Sequence, residues 1–166
     1  MKQLFIILAL CGMSASCSYG QYGFSATTTG TITISASLSV TYTGLVGTFS
    51  IVSASDYLNG QTTNNYAKLE VSANIPWVIK VSANSALFTG SGSASTNMPA
   101  GIVGIRVNGT SSFITLTTSQ QTLATGNSGA PSSSGNTFNT DIHFNPGFSY
   151  NGGNYTLGLV YTLTAQ

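Results

Sequence analysis

Alternation is the dominant pattern of this chain. From Asn154 to Gln166 the sequence reads N-Y-T-L-G-L-V-Y-T-L-T-A-Q. Tyr155, Leu157, Leu159, Tyr161 and Leu163 fall on one parity, and Thr156, Gly158, Val160, Thr162 and Thr164 on the other. A pleated strand sends successive side chains to opposite faces, so this spacing predicts a strand with one large apolar face. Thr, Val and Tyr favour that geometry and no Pro interrupts it. Such a strand must lie against others, and the segment is expected to be the C-terminal core strand of a sheet or sandwich. If Leu159 points into a closed core, Leu159→Ala should cost about 2–5 kcal/mol.

The same period recurs upstream. Thr31 to Tyr42 places Ile32, Ile34, Ala36, Leu38, Val40 and Tyr42 on one face, and Ser and Thr fill the other. Thr48–Ser53 reads as a strand with Phe49, Ile51 or Val52 inward, and Asp56–Asn65 reads as turn-rich. Tyr66–Ser72 and Trp77–Val81 read as strands separated by a break at Asn74 and Pro76. Gly90–Thr96 is a Gly/Ser loop. Ala100–Val107 leads to Asn108-Gly109, a tight-turn dipeptide, and Phe113–Thr117 returns as the second arm of a hairpin. Gln120–Ala124 is a short strand, Asn127–Asn136 a low-complexity loop, and Phe138–Phe144 another alternating strand. Asn145-Pro146-Gly147 and Asn151-Gly152-Gly153 are turns. No segment has a helical period. Short strands punctuated by Gly, Asn and Pro predict an all-β fold: a single antiparallel β-sandwich, Ig-like or pilin-like, spanning residues 31–166.

Composition sharpens this picture. Only 4% of the 166 residues are charged, against roughly 25% in ordinary soluble domains, while 42% are hydrophobic. The polar character comes from Ser, Thr, Asn and Gly. Beyond the first residues the charges are Lys68, Lys80 and Arg106 against Asp56, Glu70 and Asp141, which balance. A neutral surface offers no electrostatic footprint for nucleic acid. It also supplies no charge repulsion against self-association.

The N-terminus carries a positive residue, Lys2, then an apolar run Leu4–Leu10, then small residues from Ser14 to Gly20. This is the layout of a secretory signal peptide, too short for a membrane span, with cleavage expected after Gly20. Lipidation at Cys17 is the competing route. Both cysteines, Cys11 and Cys17, fall in this segment, so a chain beginning at Gln21 has no disulfide and no thiol chemistry. Residues 21–30 are small and polar and read as a flexible lead. Export through a periplasm to the outer surface or the medium follows from this leader.

Few residues could carry chemistry. His143, the single histidine, stands two residues from Asp141, a spacing that puts both on one face of a strand. Such a pair can orient a general base, and a small hydrolase using Asp141 and His143 is the remote reading; a structural or solvent-facing pair is the other. No nucleophile elbow accompanies them. Three scattered carboxylates give no glycosidase pair, and one His without Cys gives no zinc set. Neither an Asp-rich calcium loop nor a phosphate cradle occurs, so no catalytic residue, metal or cofactor is expected. The aromatics could stack on glycans from an exposed face or fill the core, and Trp77, the single tryptophan, is expected in the core.

On these residues the chain resembles bacterial surface β-sandwich proteins, of the chaperone–usher fimbrial-subunit and spore-coat-U-like types. Gly153–Ala165 is similar to a pilin C-terminal strand. Thr31–Tyr42 is similar to a donor segment, with Ile32, Ile34, Ala36, Leu38 and Val40 at pocket spacing. Ala165 stands where pilins usually carry an aromatic, and the disulfide common in them is missing. The resemblance implies a non-enzymatic secreted or cell-surface structural or adhesive protein, a fimbria-like subunit whose partners are copies of itself or other surface proteins. A carbohydrate-binding module, with glycans as partners, is the alternative. The bland reading of Thr31–Tyr42 is an ordinary first strand of its own domain.

Overall fold

A computed structural model of the protein describes residues 34–44 and 49–166. Ser35–Gln166 forms one compact unit. The leader with its cleavage and lipidation positions, the lead at 21–30 and Ile32 lie outside the described residues.

The domain is a sandwich of antiparallel sheets. Its strands are β1 (Leu38–Gly44), β2 (Gln61–Ala73), β3 (Trp77–Ala83), β4 (Thr89–Ser91), β5 (Val103–Val107), β6 (Ile114–Thr115), β7 (Gln121–Gly126), β8 (Thr137–Phe144), β9 (Asn154–Thr156) and β10 (Leu159–Ala165). A five-stranded sheet has the order β1-β2-β8-β5-β6, a three-stranded sheet the order β10-β3-β7, and β4 pairs with β9. The chain changes sheets between β2 and β3, at the Asn74–Pro76 break. Alternate positions of those two strands, Leu69 and Val71 on β2 and Trp77, Ile79 and Val81 on β3, meet with Ile105, Leu116 and Ile142 in one buried cluster. The period-two pattern in the sequence therefore does mark the core faces.

Several expectations need correction, among them the Gly90–Thr96 loop, whose first two residues belong to β4, and the start of Ala100–Val107, where Ala100–Ile102 forms a 3₁₀ turn ahead of β5. Foremost, the run Asn154–Gln166 is not one strand. Its start pairs with β4 and its end with β3, and the break falls at Leu157-Gly158. There the backbone of Gly158 is held by Asn84: Asn84 N donates to Gly158 O at 2.9 Å, and Gly158 N donates to Asn84 Oδ1 at 2.9 Å. An added Cβ at Gly158 would sit 2.7 Å from that Asn84 side chain, so the close approach requires glycine. Alternation survives across the break, and Tyr155, Leu157, Leu159, Tyr161 and Leu163 all pack against the core, each only partly buried. β10 itself is an edge strand of the smaller sheet rather than a central one. Leu159→Ala is therefore expected to cost about 1–2 kcal/mol, below the fully buried range, because its side chain keeps part of its contact with water. Urea unfolding of that variant measures the difference.

The second correction concerns Thr31–Tyr42. Among the described residues the strand begins at Leu38 and continues to Gly44, in unbroken register with β2 from Leu38↔Ala73 to Gly44↔Ala67. Asn74 terminates the pairing: its side chain accepts from Ser37 N at 2.7 Å and donates to Ser35 O at 2.6 Å. Ile34 and Ala36 precede the strand and are exposed, whereas Leu38 and Val40 pack against the domain's own core.

Third, residues 49–53 form no strand. Their backbone groups are used locally. Val52 N and Ser53 N donate to Asp56 Oδ2, Asp56 N donates to Ser53 Oγ, and Gln61 Nε2 donates to Ser50 O. Ser53 and Asp56 make a capping box for helix α1 (Ala54–Asn59), an element the missing helical period gave no sign of. Phe49 and Ile51 do point inward, and Val52 is exposed. Fourth, β2 is longer at its start than Tyr66, and its pairing with β8 shifts register between Thr63 and Ala67.

Candidate functional site

The shift in β2 is a bulge built on Asn64, Asn65 and Tyr66, with Asn65 in the left-handed region at φ 55°. Asn tolerates that conformation better than most residues. The bulge aims the Asn65 N–H at Asp141 and turns Tyr66 toward the space between the sheets.

Asp141 and His143 do lie on one face of β8, the face away from the core, since Thr140, Ile142 and Phe144 take the inward positions. They are not joined. Asp141 is fully buried and accepts from Asn65 N at 3.0 Å, Arg106 Nε at 3.0 Å and Asn108 Nδ2 at 2.8 Å. His143 Nδ1 lies 2.9 Å from Thr62 Oγ1, and its ring is 5.4 Å from that of Phe113. Phe113 covers Gly104 and carries the Arg106 guanidinium 4.4 Å above its ring centre. Burial alone would raise the Asp141 pKa, but the bonds from Asn108, Asn65 and Arg106 outweigh it and lower the value. The carboxylate's bonds thus pin the bulge and the β5 arm, and the orienting contact to His143 that a general-base pair requires is made by neither residue.

The other carboxylates are elsewhere. Asp56 caps α1, where bonds from the Ser53 backbone and hydroxyl and from Val52 hold its pKa down to about 2. Glu70 accepts from Lys68 Nζ at 2.8 Å on the surface, a kind of pair worth roughly 0–1 kcal/mol. Among the described residues no three His, Asp or Glu side chains gather as a metal site would require. No described helix is long and apolar enough to cross a membrane.

A concave feature elsewhere in the domain has a different character. A cleft of ≈ 510 Å³ opens between the sheets, beside β8 on one side and the β9–β10 segment on the other. Met98, Val103, Ile142, Leu157 and Leu159 supply its aliphatic surface. Aromatic rings form a chain across it: Phe49 packs on Phe144 at 5.6 Å, Phe144 meets Phe88 at 5.9 Å, and Phe88 meets Tyr155 edge-on at 6.3 Å. Tyr57, Tyr66 and Tyr150 add hydroxyl-bearing rings. Asn151, Asn154 and Thr156 stand exposed at the rim. Among the described residues none that lines it is charged, and burial pushes the Tyr66 hydroxyl's pKa up, which keeps that ring neutral.

The rim is fixed by its own bonds. Tyr155 Oη donates to Asn151 O at 2.6 Å and accepts from Ser95 N at 2.8 Å, while Asn151 N donates to Ser95 Oγ at 2.8 Å. The alternating tail, expected from the sequence only as a core strand, contributes Tyr155, Leu157 and Leu159 to this cleft. The remaining lining comes from loops and from the bulge, whose contributions have no period to read. Trp77 is in the core, fully buried, and takes no part. Comparison with protein-family models and with curated proteins found no match for the chain.

Proposed function

We propose that the chain is a non-enzymatic structural or adhesive protein, exported to the cell surface, that assembles with copies of itself along its sheet edges. The observation that carries this reading is the outer edge of β1, which among the described residues pairs with β2 alone. Its seven residues, L-S-V-T-Y-T-G, hold no charge and no Pro, and their register with β2 has no bulge. Edge strands of monomeric proteins are usually blunted by one of those devices, because unpaired N–H and C=O groups recruit further strands. β10, on the edge of the other sheet and without charge, lies beside β1, with Tyr42 and Tyr161 rings 5.5 Å apart. A chain with 4% charged residues adds no long-range repulsion to oppose such contacts. Leu38 and Val40 serve here as β1's anchors to its own core, so the edge rather than a detached segment is the assembling surface.

Thr41 and Thr43 are exposed on β1. Purified protein is expected to form oligomers or fibres by light scattering and electron microscopy. Thr41→Lys with Thr43→Lys is expected to disperse them without moving the unfolding midpoint. A wild-type chain that stays monomeric at high concentration would overturn the reading.

A further inference from the structure

We propose that the cleft between the sheets is a binding site for an uncharged, largely apolar small molecule, independent of any assembly through the edges. Its volume of ≈ 510 Å³ falls within the roughly 300–1,000 Å³ typical of small-molecule sites. The lining selects the class of ligand. A buried ion needs a partner charge or several bonds, and the cleft lining supplies no charged side chain. A fatty-acid carboxylate, a nucleotide or a charged peptide would therefore lose its hydration without replacement. A sugar would bring many hydroxyls, each needing a partner once buried. The inner surface offers Met98, Val103, Ile142, Leu157 and Leu159 together with the hydroxyl-bearing rings of Tyr57, Tyr66 and Tyr150, and the amides and hydroxyl of Asn151, Asn154 and Thr156 stand at the rim. A molecule with an apolar body and one or two neutral polar groups matches both zones.

Two further observations favour such a ligand. The rim is held in place by the Tyr155–Asn151–Ser95 bonds, so the opening is organised before anything binds and little ordering cost falls on binding. Beside the cleft, Phe148 stacks on the lining residue Tyr57 at 5.1 Å and is itself 65% exposed. An apolar ring left in water at the mouth is a surface that an entering apolar ligand would cover.

Titration with N-phenyl-1-naphthylamine, an uncharged apolar fluorophore, tests this on the full chain. One saturable site per chain is expected. The sulfonated analogue 8-anilino-1-naphthalenesulfonate, nearly the same in shape but anionic, is expected to bind about tenfold or more weakly. Tyr150→Ala and Phe148→Ser should each weaken the neutral probe several-fold, with Phe148→Ser leaving the unfolding midpoint unchanged because its ring is exposed. Val160→Ser, an equally surface-directed change on the outer face of β10, should leave binding as it was. Absence of a saturable site, equal affinity for the two probes, or displacement by a neutral oligosaccharide would overturn the proposal. Loss of binding in Val160→Ser equal to that in Phe148→Ser would overturn it too, by showing general surface adsorption.

Discussion

Replacing Asp141 with alanine is expected to destabilise the domain by about 3–5 kcal/mol, the range for breaking one side of a buried ion pair. The carboxylate is fully buried and joins three separate elements: the β2 bulge through Asn65 N, β5 through Arg106, and the turn after β5 through Asn108. Without it, the Asn65 N–H and the Asn108 amide lose their acceptor. Arg106 keeps partial access to water, with 23% of its side chain exposed, so the lower half of that range is the better expectation. Asp141→Asn retains shape but turns a donor toward donors, and should fall between wild type and alanine. Denaturant unfolding followed by Trp77 fluorescence measures both. A loss under about half a kcal/mol for alanine would contradict the buried network described here.

The same residue sets an acid limit. Asp141 and Asp56 both have folded-state pKa values below the ordinary 3.8. A carboxylate with a depressed folded pKa contributes stability that is fully present above its unfolded pKa and is lost as pH falls through its folded pKa. The domain should therefore hold its stability from neutrality down to about pH 4 and lose it steeply below, and Asp141→Asn should flatten that acid slope.

Trp77→Ala is the second change of large expected effect, again about 3–5 kcal/mol. The indole is fully buried, stacks on Phe138 at 6.3 Å with 10° between planes, and donates Nε1–H to Asn127 O at 3.0 Å and to Asn136 Oδ1 at 3.2 Å. These bonds tie the 127–136 loop to β3. Trp77→Phe keeps part of the ring and removes the donor, so about 1–3 kcal/mol is expected, mainly from the buried Asn136 amide left short of a partner. Gly126, opposite Trp77 across β3 and β7, has no room for a side chain: a Cβ there would run into the six-membered ring of the indole. Gly126→Ala is therefore expected to cost about 1–3 kcal/mol by overpacking. In a Trp77→Phe background that cost should shrink, since the smaller ring withdraws from the clash, and the two changes should be non-additive. Strict additivity in calorimetry would mean that the two residues do not meet.

Much of the architecture is written in local pattern. Alternating runs at Tyr66–Ser72, Trp77–Val81 and Phe138–Phe144 correspond to β2, β3 and β8, because a half-buried pleated strand needs that alternation at every step, whereas of Ala100–Val107 only Val103–Val107 is strand and Ala100–Ile102 forms a 3₁₀ turn. Asn108-Gly109 marks the turn between β5 and β6, with Gly109 at φ 85°. The burial of Trp77 also follows from its size and apolar neighbours. Helix α1 escaped notice because its six residues are too few to display a 3.6-residue period, and only its capping box, Ser53 with Asp56, signals it.

What a strand pairs with is not a local property. Asn154–Gln166 alternates without interruption, yet it divides between β4 and β3, since only the position of Asn84 in space determines where Gly158 must yield. Asp141 and His143 share a face, as their spacing requires, but their partners are chosen by residues many positions away: Thr62 on β2, Asn65 on its bulge, Arg106 and Asn108 on the hairpin. The cleft is the extreme case. Its rings come from Phe49 through Tyr155 and converge only when the sheets stack and the β2 bulge turns Tyr66 inward. The sequence by itself determined the β class, the uncharged surface and the core-facing parity of most strands, because each depends on nearest-neighbour geometry. The pairing of the tail, the partners of Asp141 and the neutral cleft were decided by tertiary structure, because each depends on long-range contacts that no window of sequence contains.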